Sequence, residues 1–153
     1  MADAVPDSRL VGDRSLRVGV IGAGMAGILA VIKLREAGIT DIVCFEKADR
    51  VGGTWRENTY PGIACDVASH YYTYSFEPNP DWSSRLPQGG EIQAYLLGVA
   101  EKYQLRRYIT FNKEIVDGRH DGQCWHLSMQ DGEQLEADVV IANDSNIPLS
   151  EIR

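Results

Sequence analysis

Val18-Gly19-Val20-Ile21-Gly22-Ala23-Gly24-Met25-Ala26-Gly27-Ile28 is the stretch of this chain whose reading decides the fold. A short apolar run meets a glycine turn, and a helical pattern follows at once. That order is the geometry of a dinucleotide-binding βαβ unit. Gly22 lets the chain turn tightly off the strand, Gly24 lets a pyrophosphate approach the backbone, and Gly27 lets the helix pack close to the strand. The phosphates would rest on free N–H groups at the helix N-terminus, where the helix dipole also favours anions.

Working outward, Met25 to Ala37 reads as a helix with apolar Ile28, Leu29, Ile32 and Leu34, and Gly38 is placed to end it. Ile42-Val43-Cys44-Phe45 reads as a buried second strand with Glu46 at its C-terminal end. A carboxylate there can accept hydrogen bonds from both ribose hydroxyls of an adenosine and repels a 2′-phosphate. The site therefore suits FAD or NAD and disfavours NADP. The plainer alternative is a solvated Glu46 followed by Lys47 on a loop.

Composition bounds the rest. The chain has 153 residues, 44% of them hydrophobic and 24% charged, which is ordinary for one globular domain with one core. Its net charge of −7 argues against nucleic acid or an anionic membrane surface as a partner. Cys44, Cys65 and Cys124 are odd in number and lack C-x-x-C spacing, as expected of reduced cysteines in a cytoplasmic protein. His70, His120 and His126 show no metal-ligand spacing, so no metal site is expected. Met1 to Leu16 is polar and broken by Pro6, unlike a secretory signal, and the apolar stretch from Val18 to Ile32 is too short to span a bilayer.

Three parts are expected along the chain: a flexible N-terminal arm over 1–16, a nucleotide-binding domain over 17–142 and a divergent tail over 143–153. Between Lys47 and Gly90 lies a long segment with few regular patterns. Its aromatic residues (Trp55, Tyr60, Tyr71, Tyr72, Tyr74, Phe76 and Trp82) argue for an ordered loop covering a flat ligand. Glu91 to Tyr103 reads as a helix with Ile92, Tyr95, Leu96, Val99 and Tyr103 on one stripe. Strand structure begins over Ile109 to Val116, and Trp125, Leu127 and Met129 alternate with polar residues. Asp131-Gly132 marks a hairpin into Gln134–Ala137, and Asp138 to Ala142 reads as a buried parallel strand. The fold class is α/β: a Rossmann-like parallel sheet carrying a three-stranded antiparallel meander.

The long loop also carries a resemblance. Gly52-Gly53-Thr54-Trp55, Tyr60-Pro61-Gly62, Cys65-Asp66, Ser69 and Tyr74-Ser75-Phe76 resemble the N-terminal FAD-binding domain of class B flavin monooxygenases. That group comprises the Baeyer–Villiger monooxygenases and the flavin-containing monooxygenases. Glu77-Pro78-Asn79-Pro80-Asp81-Trp82-Ser83, Glu91 to Leu96 and Ile109 to Asn112 extend the likeness toward the Baeyer–Villiger branch. It runs from Arg17 to Ala142.

The resemblance implies FAD as cofactor. Gly22, Gly24 and Gly27 would approach its pyrophosphate and Glu46 its adenosine ribose. Gly53, Thr54 and Trp55 would line the ribityl and flavin side. Asp66 and Tyr72 would lie near the isoalloxazine, and Ile115 would meet the adenine edge through its backbone. Asp66 is the candidate catalytic residue, because a carboxylate near the flavin can hold a cation that adjusts flavin charge; a loop-capping aspartate is the alternative. Relatives often carry Arg before the Cys-Asp pair, where this chain has Ala64.

Relatives in this family draw on NADPH and dioxygen to oxygenate ketones or soft heteroatoms. This chain has no second G-x-G-x-x-G, no Phe-Gly-His-Trp fingerprint and no late Gly-Asp segment. The expectation is therefore a truncated, inactive FAD-binding portion, with core faces open to association or aggregation. The alternatives are a non-catalytic nucleotide-binding module and another FAD-dependent oxidoreductase; the redox cysteine pair of the disulfide reductases is absent.

Overall fold

A computed structural model describes residues 10–11, 14–143 and 147–151. Much of the expected arm over 1–16 and part of the tail over 143–153 lie outside the described residues. Within the arm, β1 (Leu10–Val11) pairs antiparallel with β2 (Arg14–Ser15).

β3 (Arg17–Ile21) is the strand read from the opening stretch. It leads through Gly22, where φ is +89°, into α1 (Met25–Glu36) and β4 (Asp41–Glu46). Tight helix–strand packing is required at Gly27: a Cβ there would stand 1.8 Å from the Gly22 carbonyl oxygen. The long loop holds a single helical turn, α2 (Thr54–Glu57), and a 3₁₀ turn at Ser69–Tyr71. α3 spans Gly89–Lys102, beginning two residues before the expected start at Glu91. A second 3₁₀ turn at Leu105–Tyr108 then enters β5 (Ile109–Phe111).

The strand structure expected to begin over Ile109–Val116 is divided between two sheets. Asn112 takes a left-handed conformation (φ +55°) and breaks the run, so β6 (Ile115–His120) departs into a different sheet. β7 (Trp125–Met129) and β8 (Gln134–Ala137) complete the meander, with the β7–β8 turn at Asp131-Gly132 as expected. β9 (Val139–Ala142) returns to the first sheet. β10 (Leu149–Glu151), unforeseen in the sequence, adds a parallel strand to β6.

Two four-stranded sheets result. The first has the order β5-β4-β3-β9, with every pairing parallel. The second has the order β10-β6-β7-β8, and its β6-β7-β8 part is the antiparallel meander. Side chains alternate across the parallel sheet, as strand pleating dictates. Val18, Val20, Ile42 and Cys44 face α1 and α3, where Ile28, Val31, Ile92 and Leu96 close the larger core. Ile21 and Phe45 face the meander, where Ile115, Leu127 and Met129 form a second apolar cluster. The parallel sheet is thus covered on both faces, and its strand ends are where a ligand has room.

No helix among the described residues is long and apolar enough to cross a membrane.

Candidate functional site

The C-terminal ends of β3 and β4 open into a cavity of about 690 Å³, whose walls include the first turn of α1, α2 and the start of β6. Gly24 is the N-cap of α1 and has no side chain to satisfy the first-turn amides, and no acidic residue competes there. Opposite lies the second glycine turn. A Cβ on Gly53 would come within 3.1 Å of the Gly24 Cα, so the two glycine motifs meet at the cavity floor.

Glu46 is buried, 3% exposed, at the end of β4. Its Oε2 accepts from the Ala23 N–H at 2.8 Å, which ties the acid to the middle of the first glycine turn. Its Oε1 accepts from the Ala48 N–H at 3.0 Å and from Arg56 Nη1 at 2.8 Å. A carboxylate has about four acceptor positions, so one remains for a ligand hydroxyl. Arg56 also donates to the Arg50 carbonyl and to Glu57, each at 2.8 Å.

Arg56 was not legible as a site residue. It follows the Gly53-Thr54-Trp55 motif directly, but nothing in its spacing shows that its partner is Glu46. Its presence alters the expected discrimination. Repulsion of a 2′-phosphate by a lone acid is offset here by a guanidinium on the same carboxylate, so charge alone separates FAD or NAD from NADP less sharply than the sequence suggested.

Of the expected cofactor residues, Gly22, Gly24, Glu46, Gly53, Thr54, Trp55, Tyr72 and Ile115 all line the cavity. Gly27 does not; it acts one layer behind by letting α1 approach the turn. Asp66 is exposed and also lies outside the lining, so the structure does not bring the candidate catalytic carboxylate to the others. Trp55 and Tyr72 form one edge-to-face pair with centroids 5.6 Å apart, and the indole N–H donates to the Tyr72 hydroxyl at 3.1 Å.

The aromatic loop is held by specific polar contacts. The Tyr74 hydroxyl donates to the Met25 carbonyl at 2.6 Å, pinning the loop to the start of α1. Burial pushes that phenol well above its ordinary range. Tyr74 also stacks on Phe76 at 5.2 Å, and Tyr95 Oη accepts the Tyr74 N–H while donating to the Glu77 carbonyl. Gln93 on α3 donates to the Val51 carbonyl at 2.8 Å and so holds the second glycine turn from behind.

The arrangement suits an elongated, partly anionic ligand with vicinal hydroxyls. Uncapped helix amides and the close-packed glycines leave space for a phosphate, and Glu46 retains an acceptor position for a ribose.

Comparison with known proteins agrees. The model of the NAD(P)-binding Rossmann-like domain family matches residues 20–86. An uncharacterized monooxygenase of Mycobacterium tuberculosis is 50% identical over 125 residues, covering 82% of this chain and 25% of the relative. A Baeyer–Villiger monooxygenase of Streptomyces coelicolor is 45% identical over 129 residues, with 83% and 25% covered. The crystal structure of OTEMO in complex with FAD and NADP superposes with a TM-score of 0.78 at 28% identity, covering 84% of this chain and 25% of that one. The chain spans about a quarter of the length of the curated relatives it matches.

Proposed function

We propose that this chain, homologous to the N-terminal quarter of the Baeyer–Villiger and other FAD-binding monooxygenases, is the FAD-binding portion of such an oxygenase. The observation that carries the reading is the cavity itself: both glycine turns and the buried Glu46 converge on one space at the strand ends.

In this reading the α1 amides and the Gly22–Gly24 turn hold the pyrophosphate, and Glu46 receives the adenosine ribose. The Ile115 backbone borders the adenine, while Gly53, Thr54, Trp55 and Tyr72 lead toward the flavin ring. FAD supplies the redox chemistry when bound; this chain's residues bind it and orient it. Asp66, exposed and outside the cavity lining, is placed near the ring by the resemblance alone. Oxygenation of a ketone or heteroatom with NADPH and dioxygen belongs to the whole enzyme of this type, and we expect none from this chain alone. The three free cysteines agree with a cytoplasmic setting. Association through apolar side chains left exposed, such as Val139 and Leu149, is part of the same proposal.

The test is a titration of the folded chain with FAD, followed by flavin fluorescence, with ADP and NAD as competitors. Saturable binding with a preference for FAD supports the reading. ADP binding as tightly as FAD would replace it with a nucleotide-binding module that makes no use of the flavin ring.

A further inference from the structure

The hairpin between β6 and β7 lies at the far end of β6 from Ile115 and takes no part in the cavity. It nonetheless gathers three chemically different side chains. Asp121, Cys124 and His126 each offer one ligand atom, and these atoms all lie within 4.8 Å of one another. The sequence shows no metal-ligand spacing among the histidines, and this grouping is not visible there. The pattern spans a tight turn, and only hairpin closure makes neighbours of its ends.

Local geometry explains the grouping. Asp121 Oδ1 accepts from the Gln123 and Cys124 amides at 2.8 and 2.9 Å, which shapes the turn and leaves Oδ2 to point at His126 Nε2, 2.7 Å away. Cys124 and His126 flank Trp125 and so share one face of the hairpin. Their Sγ and Nε2 atoms are 3.7 Å apart. On the adjacent strand Glu136 pairs in register with His126, and its Oε1 lies 3.6 Å from Nδ1. That distance is too long for a hydrogen bond; a small closure would make one, and a carboxylate bonded to Nδ1 is the usual device for presenting Nε2 to a metal.

We propose that this hairpin binds a divalent d-block metal ion of the zinc class through Asp121 Oδ2, Cys124 Sγ and His126 Nε2, with the fourth position open to water. A thiolate, an imidazole and a carboxylate make a donor set for zinc rather than for calcium or magnesium. Tetrahedral coordination at ordinary bond lengths places sulfur and nitrogen about 3.6 Å apart, and nitrogen and oxygen about 3.3 Å apart. The first spacing is already present. The second requires the Asp121–His126 hydrogen bond to open by about 0.6 Å as a metal takes the place of the shared proton. An ion pair between Asp121 and His126 needs no thiol beside it; the position of Cys124 is what a metal explains. Both ion-pair side chains are about 40% exposed, and Cys124 lines a surface groove, so an ion has access. Bound there, it cross-links the turn to β7.

The test is a titration of the reduced, purified chain with Co²⁺, followed by displacement with Zn²⁺. One equivalent is expected to produce a thiolate-to-cobalt charge-transfer band with tetrahedral d–d absorption, and zinc should abolish both. Cys124→Ser should remove the charge-transfer band, whereas Cys65→Ser should keep it. Asp121→Asn and His126→Gln should each weaken zinc binding at least about tenfold, and Glu136→Gln by about tenfold through the histidine. Alkylation of Cys124 in the unaltered chain should slow when zinc is present, with buried Cys44 and Cys65 as internal references. A folded chain without a thiolate–cobalt band, a band that survives Cys124→Ser, or zinc-independent alkylation of Cys124 would overturn the site.

Discussion

Arg56 Nη1 lies 2.8 Å from Glu46 Oε1 beside the cavity, and the two side chains are only 7% and 4% exposed. The pair joins the second glycine motif to the end of β4, so the acid expected to greet the ribose also holds α2 in place. Removing one member of a buried pair strands the other. Arg56→Ala is expected to cost about 3 kcal/mol of stability, read by chemical denaturation, and to weaken FAD binding in the fluorescence titration. A stability change under about 0.5 kcal/mol would mean that water replaces the guanidinium without penalty.

Gly27→Ala tests the tight approach of α1 to the first turn. With only 1.8 Å between the added Cβ and the Gly22 oxygen, the helix must move outward and the turn must reshape. The expected loss is about 3 kcal/mol or more, together with loss of saturable FAD binding. Gly90→Ala meets nothing within 4 Å and serves as the matched control.

Tyr74→Phe deletes one hydroxyl and leaves the ring stack on Phe76 in place. The Met25 carbonyl loses its 2.6 Å donor, for an expected cost of about 1 kcal/mol. Because that bond ties the aromatic loop to α1, faster proteolysis between Lys47 and Gly89 should accompany the change.

Asp138 supplies an acid-dependent contact. Arg14 grips its two oxygens at 2.7 and 2.6 Å, and the Arg17 amide adds a third bond at 2.8 Å. The Arg14 guanidinium holds the Asp138 carboxyl below its ordinary range, against the opposing effect of burial. A depressed carboxylate stabilises the fold above its unfolded pKa, and that contribution disappears as pH falls through the folded value. Stability measured from pH 7 downward should therefore fall off below about pH 4, and Asp138→Asn should flatten that limb. An unchanged acid limb in the variant would remove Asp138 from the account.

Much of this site is written in one dimension. The glycines at 22, 24 and 27 and the acid at 46 sit at spacings fixed by strand, turn and helix geometry, and all act within a single βαβ unit. Ile115, Tyr72 and the Gly53-Thr54-Trp55 run were assigned through resemblance, and all line the cavity. What stayed hidden depends on side chains meeting across elements. Arg56 is one arginine among many until α2 turns it toward Glu46. Asp121, Cys124 and His126 resemble ordinary surface residues until the hairpin closes. The break at Asn112 is not legible, because a left-handed residue leaves no mark in a hydrophobic pattern. Asp66 is the converse case: its motif is legible, and its side chain is exposed.

β9 has a consequence for how this chain acquires its structure. β3, α1 and β4 follow one another closely, yet β3 is completed on its other side by β9, more than a hundred residues further along the chain. The Arg17–Asp138 contact beside that pairing bridges 121 residues. Lengthening such a loop is cheap thermodynamically, about 0.6 kcal/mol per doubling, but non-local strand pairing is slow to find. During synthesis the nucleotide-binding turn is made early, while one side of β3 stays unpaired until β9 has left the ribosome. For that interval the nascent chain presents an open strand edge, the feature that invites wrong pairing.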